Sequence, residues 1–248
     1  MIKAALNGNR SRDEHGAIPI TPLDLSLEAR RAVEAGAAAL HVHPRDSAGR
    51  ESLAIADVAA ALSAIRAVCP DVPLGVSTGA WIEPDVSRRL ALLADWTGPD
   101  FASVNFDELG AEAVARLLLT LDIDVEAGLS TVEAARAFAA FDRARDCLRV
   151  LIEPQESETD QAEVTIREIE SVLDESSMDL PRLLHGTEST TWALIRIANA
   201  RGYDTRIGFE DTLVLPDGTL AASNGELVQA AYRSGVAVRA VEPVDARR

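Results

Sequence analysis

Short apolar runs alternate with longer amphipathic stretches along the whole chain. Each apolar run is three to five residues long and ends in a small or polar residue, which is typical of a β-strand followed by a turn. Eight such runs predict strands over residues 3–6, 38–42, 74–76, 101–104, 123–125, 148–152, 182–184 and 205–209. The stretches that follow them carry alanine and leucine at helical spacing and predict helices over residues 21–36, 54–68, 84–93, 111–119, 131–141, 159–173, 190–200 and 221–233.

The alternation of strands and helices predicts a parallel sheet, since parallel neighbours need a crossover connection. Eight units in 248 residues fit a closed (β/α)8 barrel, which typically needs about 250 residues. The alternative is an open doubly wound sheet, which carries a GxGxxG loop after its first strand, and the sequence NGNRSR at residues 7–12 does not match that loop. We therefore predict an α/β protein with a single (β/α)8 TIM-barrel domain over residues 1–248.

The chain is acidic, with a formal net charge of −16, and it contains no run of lysine or arginine. Binding to nucleic acid through counterion release needs a basic surface, so we expect no nucleic-acid partner. The two cysteines, Cys69 and Cys147, are too few for a disulfide scaffold, and no apolar stretch has the length of a signal peptide or a membrane helix. We expect a cytoplasmic protein without a membrane partner.

Two of the four histidines lie in the string HVHPRD, at the end of the second predicted strand. Alternate residues of a strand point to one face, so His41 and His43 project together, and Pro44 ends the strand. In a barrel, active sites lie at this C-terminal edge of the strands. The pair fits two core histidines satisfied by hydrogen bonds, or two neutral imidazole ligands of a shared metal such as zinc. The pair alone does not choose between these interpretations.

The last predicted strand, in the string TRIGFEDT, carries three charged residues. Arg206 and Glu210 share a face because they are four residues apart on a strand. The second and eighth strands both flank the first, which places their inward residues in one layer with His41 and His43. Two histidines and one carboxylate leave coordination positions open, as in catalytic zinc sites. The alternative for Glu210 and Asp211 is a solvated loop.

The other predicted strand tips are polar as well, and together they form a polar crown above an apolar barrel, which is a common layout for a binding site. We expect substrate contacts from this crown at Asn7, Thr78, Gly79, Ser103, Asn105 and Glu126. Glu153 follows the sixth strand. His185 follows the seventh, and we interpret it as a supporting or loop histidine outside the metal set.

These motifs resemble the β-keto acid cleavage enzymes, the family of the 3-keto-5-aminohexanoate cleavage enzyme. The resemblance runs along the whole chain, through NGNR, PITPLDL, GAAALHVHPRD, the STG of residues 77–79, ASVNF, RIGFED, and the trailing residues Ser223, Asn224, Leu227 and Val228. The two charged motifs, HVHPRD and RIGFED, are specific at this separation. The family's fold is expected to extend over the chain.

The resemblance implies a retro-Claisen acyl transfer, in which a β-keto acid and acetyl-CoA give acetoacetate and a new acyl-CoA. It implies site residues by position, namely the zinc ligands His41, His43 and Glu210, the proton-transfer pair Arg206 and Asp211, and the catalytic Ser77. A Zn²⁺ ion suits this chemistry because it chelates keto and carboxylate oxygens and acts as a Lewis acid. The expected partners are these two small molecules, and we expect a homo-oligomer.

The sequence departs from the family after the first strand and in two loops. Where the family generally carries a glutamate, this chain has Asn9, Arg10 and Ser11. Arg10 predicts a bidentate grip on an anionic substrate group, and the alternative is a surface arginine paired with Asp13 or Glu14.

The family's glycine-rich loop after the sixth strand is replaced by EPQE, and HGTEST follows the seventh strand. Because these loops help to shape the acyl and CoA pockets, they leave open a metal-dependent lyase or aldolase that works without CoA. A non-catalytic binding barrel is a further alternative, and the intact ligands, arginine and aspartate disfavour it.

Overall fold

The computed structural model of the protein describes residues 1–236, and eight parallel strands close into one barrel. The strands are β1 (Ile2–Ala5), β2 (Ala39–Val42), β3 (Leu74–Ser77), β4 (Phe101–Asn105), β5 (Asp124–Leu129), β6 (Arg149–Ile152), β7 (Arg182–Leu184) and β8 (Asp204–Ile207). Each strand pairs with the next, and β8 pairs with β1. The predicted (β/α)8 TIM barrel is confirmed. The last part of the predicted domain, residues 237–248, lies outside the described residues.

A helix follows each strand. The helices are α1 (Pro22–Glu34), α2 (Ile55–Arg66), α3 (Val86–Leu93), α4 (Ala111–Thr120), α5 (Val132–Ala140), α6 (Thr159–Glu175), α7 (Thr191–Arg201) and α8 (Asn224–Arg233). The start of α1 shows how local sequence fixes a boundary. Thr21 and Asp24 form a reciprocal capping box, and Pro22 occupies the first turn, where its missing N–H costs nothing. No helix within residues 1–236 is both long and apolar enough to cross a membrane.

The fifth strand is longer than the apolar run predicts. The run stops before Glu126, yet β5 continues to Leu129, so the prediction that Glu126 ends a strand is wrong. Its side chain is fully buried inside the barrel, where one carboxylate oxygen pairs with Lys3 and the other accepts from Arg149 Nε at 2.6 Å. Two cations satisfy both oxygens, which is the condition for burying a carboxylate. Glu126 therefore belongs to the barrel interior and not to the polar crown.

Lys3, Glu126 and Arg149, called here the lower ion cluster, fill the barrel below the strand tips. The ring of Phe101 lies beneath both cations, with its centroid 5.8 Å from Lys3 Nζ and 5.3 Å from the Arg149 guanidinium carbon. Burial lowers the pKa of Lys3 to about 8, although Glu126 opposes the shift. Paired charges and an aromatic ring thus close this part of the barrel.

The register of β1 sets the heights of the two strands that carry the predicted ligands. Lys3 pairs with Ala39 of β2 on one side and with Arg206 of β8 on the other. His43 lies four residues after Ala39, and Glu210 lies four residues after Arg206. Both residues lie just beyond the ends of their strands, and their side chains meet there, with Glu210 Oε1 3.5 Å from His43 Nε2.

The seam between β1 and β8 depends on Gly208. A Cβ atom at this position would lie only 2.0 Å from the carbonyl oxygen of Ala5, a separation that no side chain can adopt. Glycine therefore allows the backbones of the first and last strands to approach closely. Arg206 and Glu210 lie on either side of this glycine, so the same close approach brings both charged side chains to the centre of the barrel.

Candidate metal centre and active site

Three potential metal ligands meet at the C-terminal end of the barrel. His41 lies in β2, His43 directly follows that strand, and Glu210 follows β8. The Nε2 atoms of the two histidines are 3.1 Å apart, and Glu210 carboxylate oxygens lie 3.7 Å from the Nε2 of His41 and 3.5 Å from the Nε2 of His43. Within residues 1–236 these three residues form a group whose geometry suits a metal ion. The structure thus brings the predicted ligand set together.

The donor atoms fit a bound cation. Glu51 Oε1 lies 2.5 Å from His43 Nδ1, which assigns a proton to Nδ1 and turns Nε2 towards Glu210. In the part of the chain that the structure describes, Glu210 Oε2 is buried and has no hydrogen-bond donor, a costly arrangement for a carboxylate. A cation between this oxygen and the two imidazole nitrogens would satisfy all three atoms. Two nitrogens and one oxygen form a ligand set that zinc commonly uses.

The charges of the ligands also favour a cation. Burial lowers the pKa of His41 to about 3, against the opposing effect of Glu210, so that His41 is neutral. Burial disfavours charge on His43 as well, but Glu210 and Glu51 outweigh it and raise the pKa of His43 to about 9. Arg206 and the two histidines overcome burial and hold the pKa of Glu210 well below its usual range. The site therefore keeps a proton at neutral pH that a metal ion can replace.

A buried ion pair lies directly beside the ligands. Arg206 Nη2 is 2.6 Å from Asp211 Oδ1, and Arg206 Nε donates to the same carboxylate at 3.1 Å. The same Nη2 atom lies 3.1 Å from Glu210 Oε1. Burial opposes ionisation of Asp211, but Arg206 and His185 outweigh it and lower the pKa of this carboxyl. Asp211 is therefore an ionised carboxylate held next to the metal ligands by one guanidinium.

His185 continues the chain of polar groups away from the ligands. Its Nδ1 lies 3.4 Å from Asp211 Oδ1, and its Nε2 lies 3.3 Å from Glu153 Oε2. Burial lowers the pKa of His185, as does Arg206, but Asp211 and Glu153 outweigh them and the pKa is raised overall. His185 and Asp211 are almost fully buried, whereas the side chain of Glu153 is 13% exposed. The histidine thus links the buried aspartate to a carboxylate nearer the solvent.

The two predicted asparagines make their hydrogen bonds within the protein. Asn7 is fully buried, and its side-chain amide pairs with the backbone of His43, accepting from the His43 N–H and donating to the His43 carbonyl, both at 2.9 Å. Its Nδ2 also donates to the carbonyl of Pro19 at 3.2 Å. Asn105 Nδ2 donates to Glu108 Oε1 at 3.2 Å. Asn7 therefore supports a ligand from behind rather than facing a substrate, which corrects the prediction for that residue.

The tips of β3 and β4 are tied together. Thr78 is buried, and its hydroxyl donates to the Ser103 carbonyl at 2.7 Å, so Thr78 holds the strand ends in place. Ser77 Oγ accepts from the Gly79 amide at 3.3 Å. A hydroxyl that accepts in this way keeps its own proton as a donor. Ser77 is 2% exposed and Ser103 is 9% exposed, and contact of either hydroxyl with a substrate oxygen stays a prediction.

Arg10 lies near the ligands, but its guanidinium is already paired. Nη1 is 3.1 Å from Glu14 Oε2, Nη2 pairs with Glu188, and Nε donates to the backbone carbonyl of Glu210 at 3.4 Å. Glu188 has a φ of 50°, a strained conformation for a residue with a side chain. This pairing favours an arginine held by neighbouring carboxylates over a grip on an anionic substrate.

Two residues close to the ligands were not singled out from the sequence, Glu51 and Trp81. Glu51 bonds to His43 Nδ1, and Trp81 Nε1 donates to the Glu51 carboxylate. Glu51 reaches His43 because the chain turns back after the strand, forming an antiparallel bridge between Arg45 and Glu51. The string DSAGR, with a turn-forming aspartate and glycine, was the signal for that reversal.

The sequence model of the β-keto acid cleavage enzymes, BKACE, matches residues 1–153 and 158–247, nearly the whole chain. The chain belongs to the β-keto acid cleavage enzyme family. The break between the two matched segments, residues 154–157, falls in the loop after β6, within the region where the sequence departs from the family pattern. The family assignment made from HVHPRD and RIGFED is therefore confirmed.

Named relatives agree with this assignment, and a solved structure agrees with the fold. The chain is 28% identical to the 3-keto-5-aminohexanoate cleavage enzyme of Fusobacterium nucleatum, covering 94% of this chain and 90% of the relative, and 24% identical to that of Acetoanaerobium sticklandii over the same shares. ObcA, solved in a ternary complex with a C4-CoA adduct and oxalate, superposes with a TM-score of 0.72 at 17% identity, covering 88% of this chain and 63% of ObcA. Because that identity is low, ObcA shows the fold alone.

Proposed function

We propose that the chain is a zinc-dependent enzyme that cleaves a β-keto acid and transfers its acyl group to acetyl-CoA, giving acetoacetate and an acyl-CoA. One observation carries the proposal: Arg206 Nη2 contacts both Glu210 and Asp211, at 3.1 and 2.6 Å. The Arg206 guanidinium thus connects Glu210, a proposed metal ligand, to Asp211, a carboxylate outside the ligand set that can act in proton transfer. The named relatives cleave a β-keto acid, and ObcA has been solved with oxaloacetate and with a CoA adduct, which supports the two substrate classes.

The reaction moves an acyl group between carbon and sulfur. Two bonds break, the C2–C3 bond of the β-keto acid and the acetyl–sulfur bond of acetyl-CoA. Two bonds form: the acyl carbon C3 joins the CoA sulfur, and C2 of the two-carbon carboxylate fragment joins the acetyl carbon. Bound by His41, His43 and Glu210, a zinc ion would act as a Lewis acid towards the keto and carboxylate oxygens. The acidic protein also needs local positive charge to attract an anionic substrate, and a bound ion would supply it.

Asp211 is the residue that we propose as the base. C2 lies between a ketone and a carboxylate. It must lose a proton before it can join the acetyl carbon, and it regains a proton when the C2–C3 bond breaks. The Asp211 carboxylate is ionised and held in place by three hydrogen bonds from Arg206, so it needs no reorientation to accept that proton. His185 and Glu153 then offer a path from the buried aspartate towards the solvent. Ser77 is the proposed donor to a substrate oxygen.

Turnover with a panel of β-keto acids tests the proposal. We expect purified protein with about one zinc ion per chain to convert members of the panel only when acetyl-CoA is present, with acetoacetate and the matching acyl-CoA formed in equal amounts. His41→Ala should lose both the metal and turnover. Asp211→Asn should lose turnover and retain the metal. Its matched control is Asp71→Asn, at an exposed aspartate before β3, which should retain both.

A second candidate is a metal-dependent lyase or aldolase that works without CoA. The departure of the loop after β6 from the family pattern favours it, because residues 154–157 are unmatched. This candidate predicts loss of the β-keto acid in the absence of acetyl-CoA, with no acyl-CoA formed. A protein that holds no metal and turns over no member of the panel would instead be a binding barrel, and both enzymatic proposals would be wrong.

A further inference from the structure

Trp81, in the loop after β3, has an exposed indole beside the candidate metal ligands. Its side chain is 52% exposed, whereas Trp96 is 2% exposed. Scattered small apolar side chains are normal on a protein surface, but a large aromatic ring next to a polar site is informative. The mechanism proposed above gives this ring no role.

Three contacts hold the indole in place. Nε1 donates to the two carboxylate oxygens of Glu51, at 3.2 and 3.1 Å. The indole stacks at 21° to the imidazole of His43, with the ring centroids 6.1 Å apart. Its six-membered ring folds over Gly79, where a Cβ atom would lie 2.3 to 2.4 Å from three ring atoms. Gly79 therefore makes room for Trp81, which explains the glycine at the β3 tip.

Glu51 connects this indole to a ligand. The Oε1 atom that accepts from Trp81 also lies 2.5 Å from His43 Nδ1. A carboxylate behind a ligating histidine fixes the orientation of the imidazole. Here the same carboxylate also fixes the indole, so the distance between the exposed ring face and the metal ligands is set by one side chain.

The charges around Trp81 indicate what the exposed face can receive. Glu51 is engaged by His43, Glu83 pairs with Arg88 at 3.0 Å, and Glu108 pairs with Arg89 at 3.1 Å. Glu108 also accepts from the backbone amide that precedes Trp81. These carboxylates are already satisfied, so a cationic group would have to compete for them. An apolar or aromatic group gains by removing the ring face from water and displaces no ion pair.

We propose that Trp81 determines specificity by receiving the end of the acyl chain of the substrate, and that this protein prefers β-keto acids with apolar or aromatic acyl groups over those with a cationic group. The inference rests on the proposed function for the reaction itself. It adds the class of acyl group, which the metal site and the ion pair do not define.

A chain-length series tests this preference. In the wild type, kcat/KM should rise about fourfold for each added methylene that reaches the ring, the factor to which about 0.8 kcal/mol per buried CH2 converts. It should be higher for a terminal phenyl group than for a terminal amino group. Trp81→Ala should flatten this dependence through KM, and Trp81→Phe should restore most of it. Leu109→Ala, which removes another exposed apolar side chain in the loop after β4, should leave the series unchanged.

Two results would overturn the proposal: a chain-length dependence that survives in Trp81→Ala, or a wild-type preference for the amino-terminated substrate. A variant that simply unfolds is recognised by circular dichroism, and Trp81→Gln, which keeps a side chain at this exposed position but removes the apolar ring, then replaces Trp81→Ala in the comparison.

Tryptophan fluorescence tests the same contact without turnover. In zinc-loaded protein, 3-hydroxyoctanoate should protect one indole from quenching by acrylamide, whereas 3-hydroxybutyrate should not. The protection should disappear in Trp81→Phe. Protection without turnover of any β-keto acid would reject the proposed reaction and retain Trp81 as a ligand-binding residue. Absence of protection by the longer acid would reject the role of Trp81, whatever the turnover.

Discussion

The barrel interior holds buried charges at two levels, and they differ in how completely they are paired. In the lower ion cluster, both oxygens of Glu126 have a cationic partner, Lys3 or Arg149. At the strand tips, one oxygen of Glu210 contacts Arg206, and the other has no hydrogen-bond donor within residues 1–236. Most charged side chains at both levels are buried, although Glu210 is 16% exposed and Glu126 is 0% exposed, so the pairing of the carboxylates is more informative than their burial.

The difference shows what distinguishes a structural charge from a functional one. A carboxylate with a separate cation on each oxygen costs the least when it is buried and has little capacity left to bind a further cation. A carboxylate that faces two imidazole nitrogens and lacks a donor retains that capacity. The sequence places Glu126 and Glu210 in comparable positions, each near the end of an apolar run, and only their partners separate them.

The largest expected effect is a loss of stability on disrupting the lower ion cluster. Glu126→Gln leaves Lys3 and Arg149 buried without a counter-charge, and we expect it to reduce the free energy of unfolding by about 3–5 kcal/mol. Urea denaturation of the metal-free protein measures the change. Glu210→Gln is the matched substitution at the upper level and should cost less stability while abolishing zinc binding. Equal losses of stability would remove the distinction between the two levels.

The next effect separates chemistry from metal binding at the upper level. Asp211→Asn keeps the size of the side chain but removes its basicity, so kcat should fall about 100- to 1000-fold, a typical loss for a general base. Metal analysis of the same preparation should still find about one zinc ion per chain. If the variant loses its metal and keeps normal turnover per bound ion, Asp211 is a ligand and not the base.

The pH dependence of zinc affinity tests the charge state of the ligands. The pKa of His43 is raised from 6.5 to about 9 in the folded metal-free protein. Protonation of His43 therefore stabilises this form fully below pH 6.5, and the stabilisation is lost as the pH rises through 9. Zinc must displace the proton, so its apparent affinity should increase about tenfold per pH unit between these limits and then level off. Competition with a chromogenic chelator measures the apparent zinc affinity at each pH. An affinity that does not change with pH would contradict the raised pKa of His43.

The smallest expected effect concerns Arg10. Because Glu14 and Glu188 already pair with its guanidinium, Arg10→Ala should change KM for anionic and neutral substrates equally, each by less than about threefold, within the range of an exposed ion pair. Steady-state kinetics with one substrate of each kind provide the measurement. A rise in KM of ten-fold or more for the anionic substrate alone would show that the substrate displaces a glutamate and binds Arg10.

The fold and the ligand set could be predicted from the sequence because both depend on short periodic patterns. Seven of the eight predicted strands differ from the structure only by small shifts at their ends, since an apolar run and a turn signal bound each one. The exception, β5, contains Glu126, and a pattern of polarity cannot show that a glutamate is neutralised by residues of two other strands. The histidine pair could be predicted because alternate residues at a strand end share a face. Glu210 also reaches the pair, but it lies in a turn after β8 and not on the strand, which the predicted run over residues 205–209 did not indicate.

The roles of the residues around the candidate ligands were harder to predict from the sequence. The sequence predicts Asn7 as a substrate contact because it follows the first predicted strand. Its side-chain amide instead binds the backbone of His43, a partner 36 residues away. Glu51 and Trp81 lie in loops, where the path of the chain and not a period decides which side chains meet. Arg10 was placed near the site correctly, and its pairing with Glu188 joins residues 178 positions apart.

The close contact at Gly208 has a consequence for the order in which the residues of the proposed site come together during folding. The histidine pair is complete once the chain has reached residue 43, but Arg206, Glu210 and Asp211 take their places only when the eighth strand docks beside the first. A nascent chain therefore carries two of the three candidate ligands through most of its synthesis, before Glu210 can complete the set. Tight zinc retention would report completion of the barrel seam, and the capacity for chemistry would be the last property that the folding chain acquires.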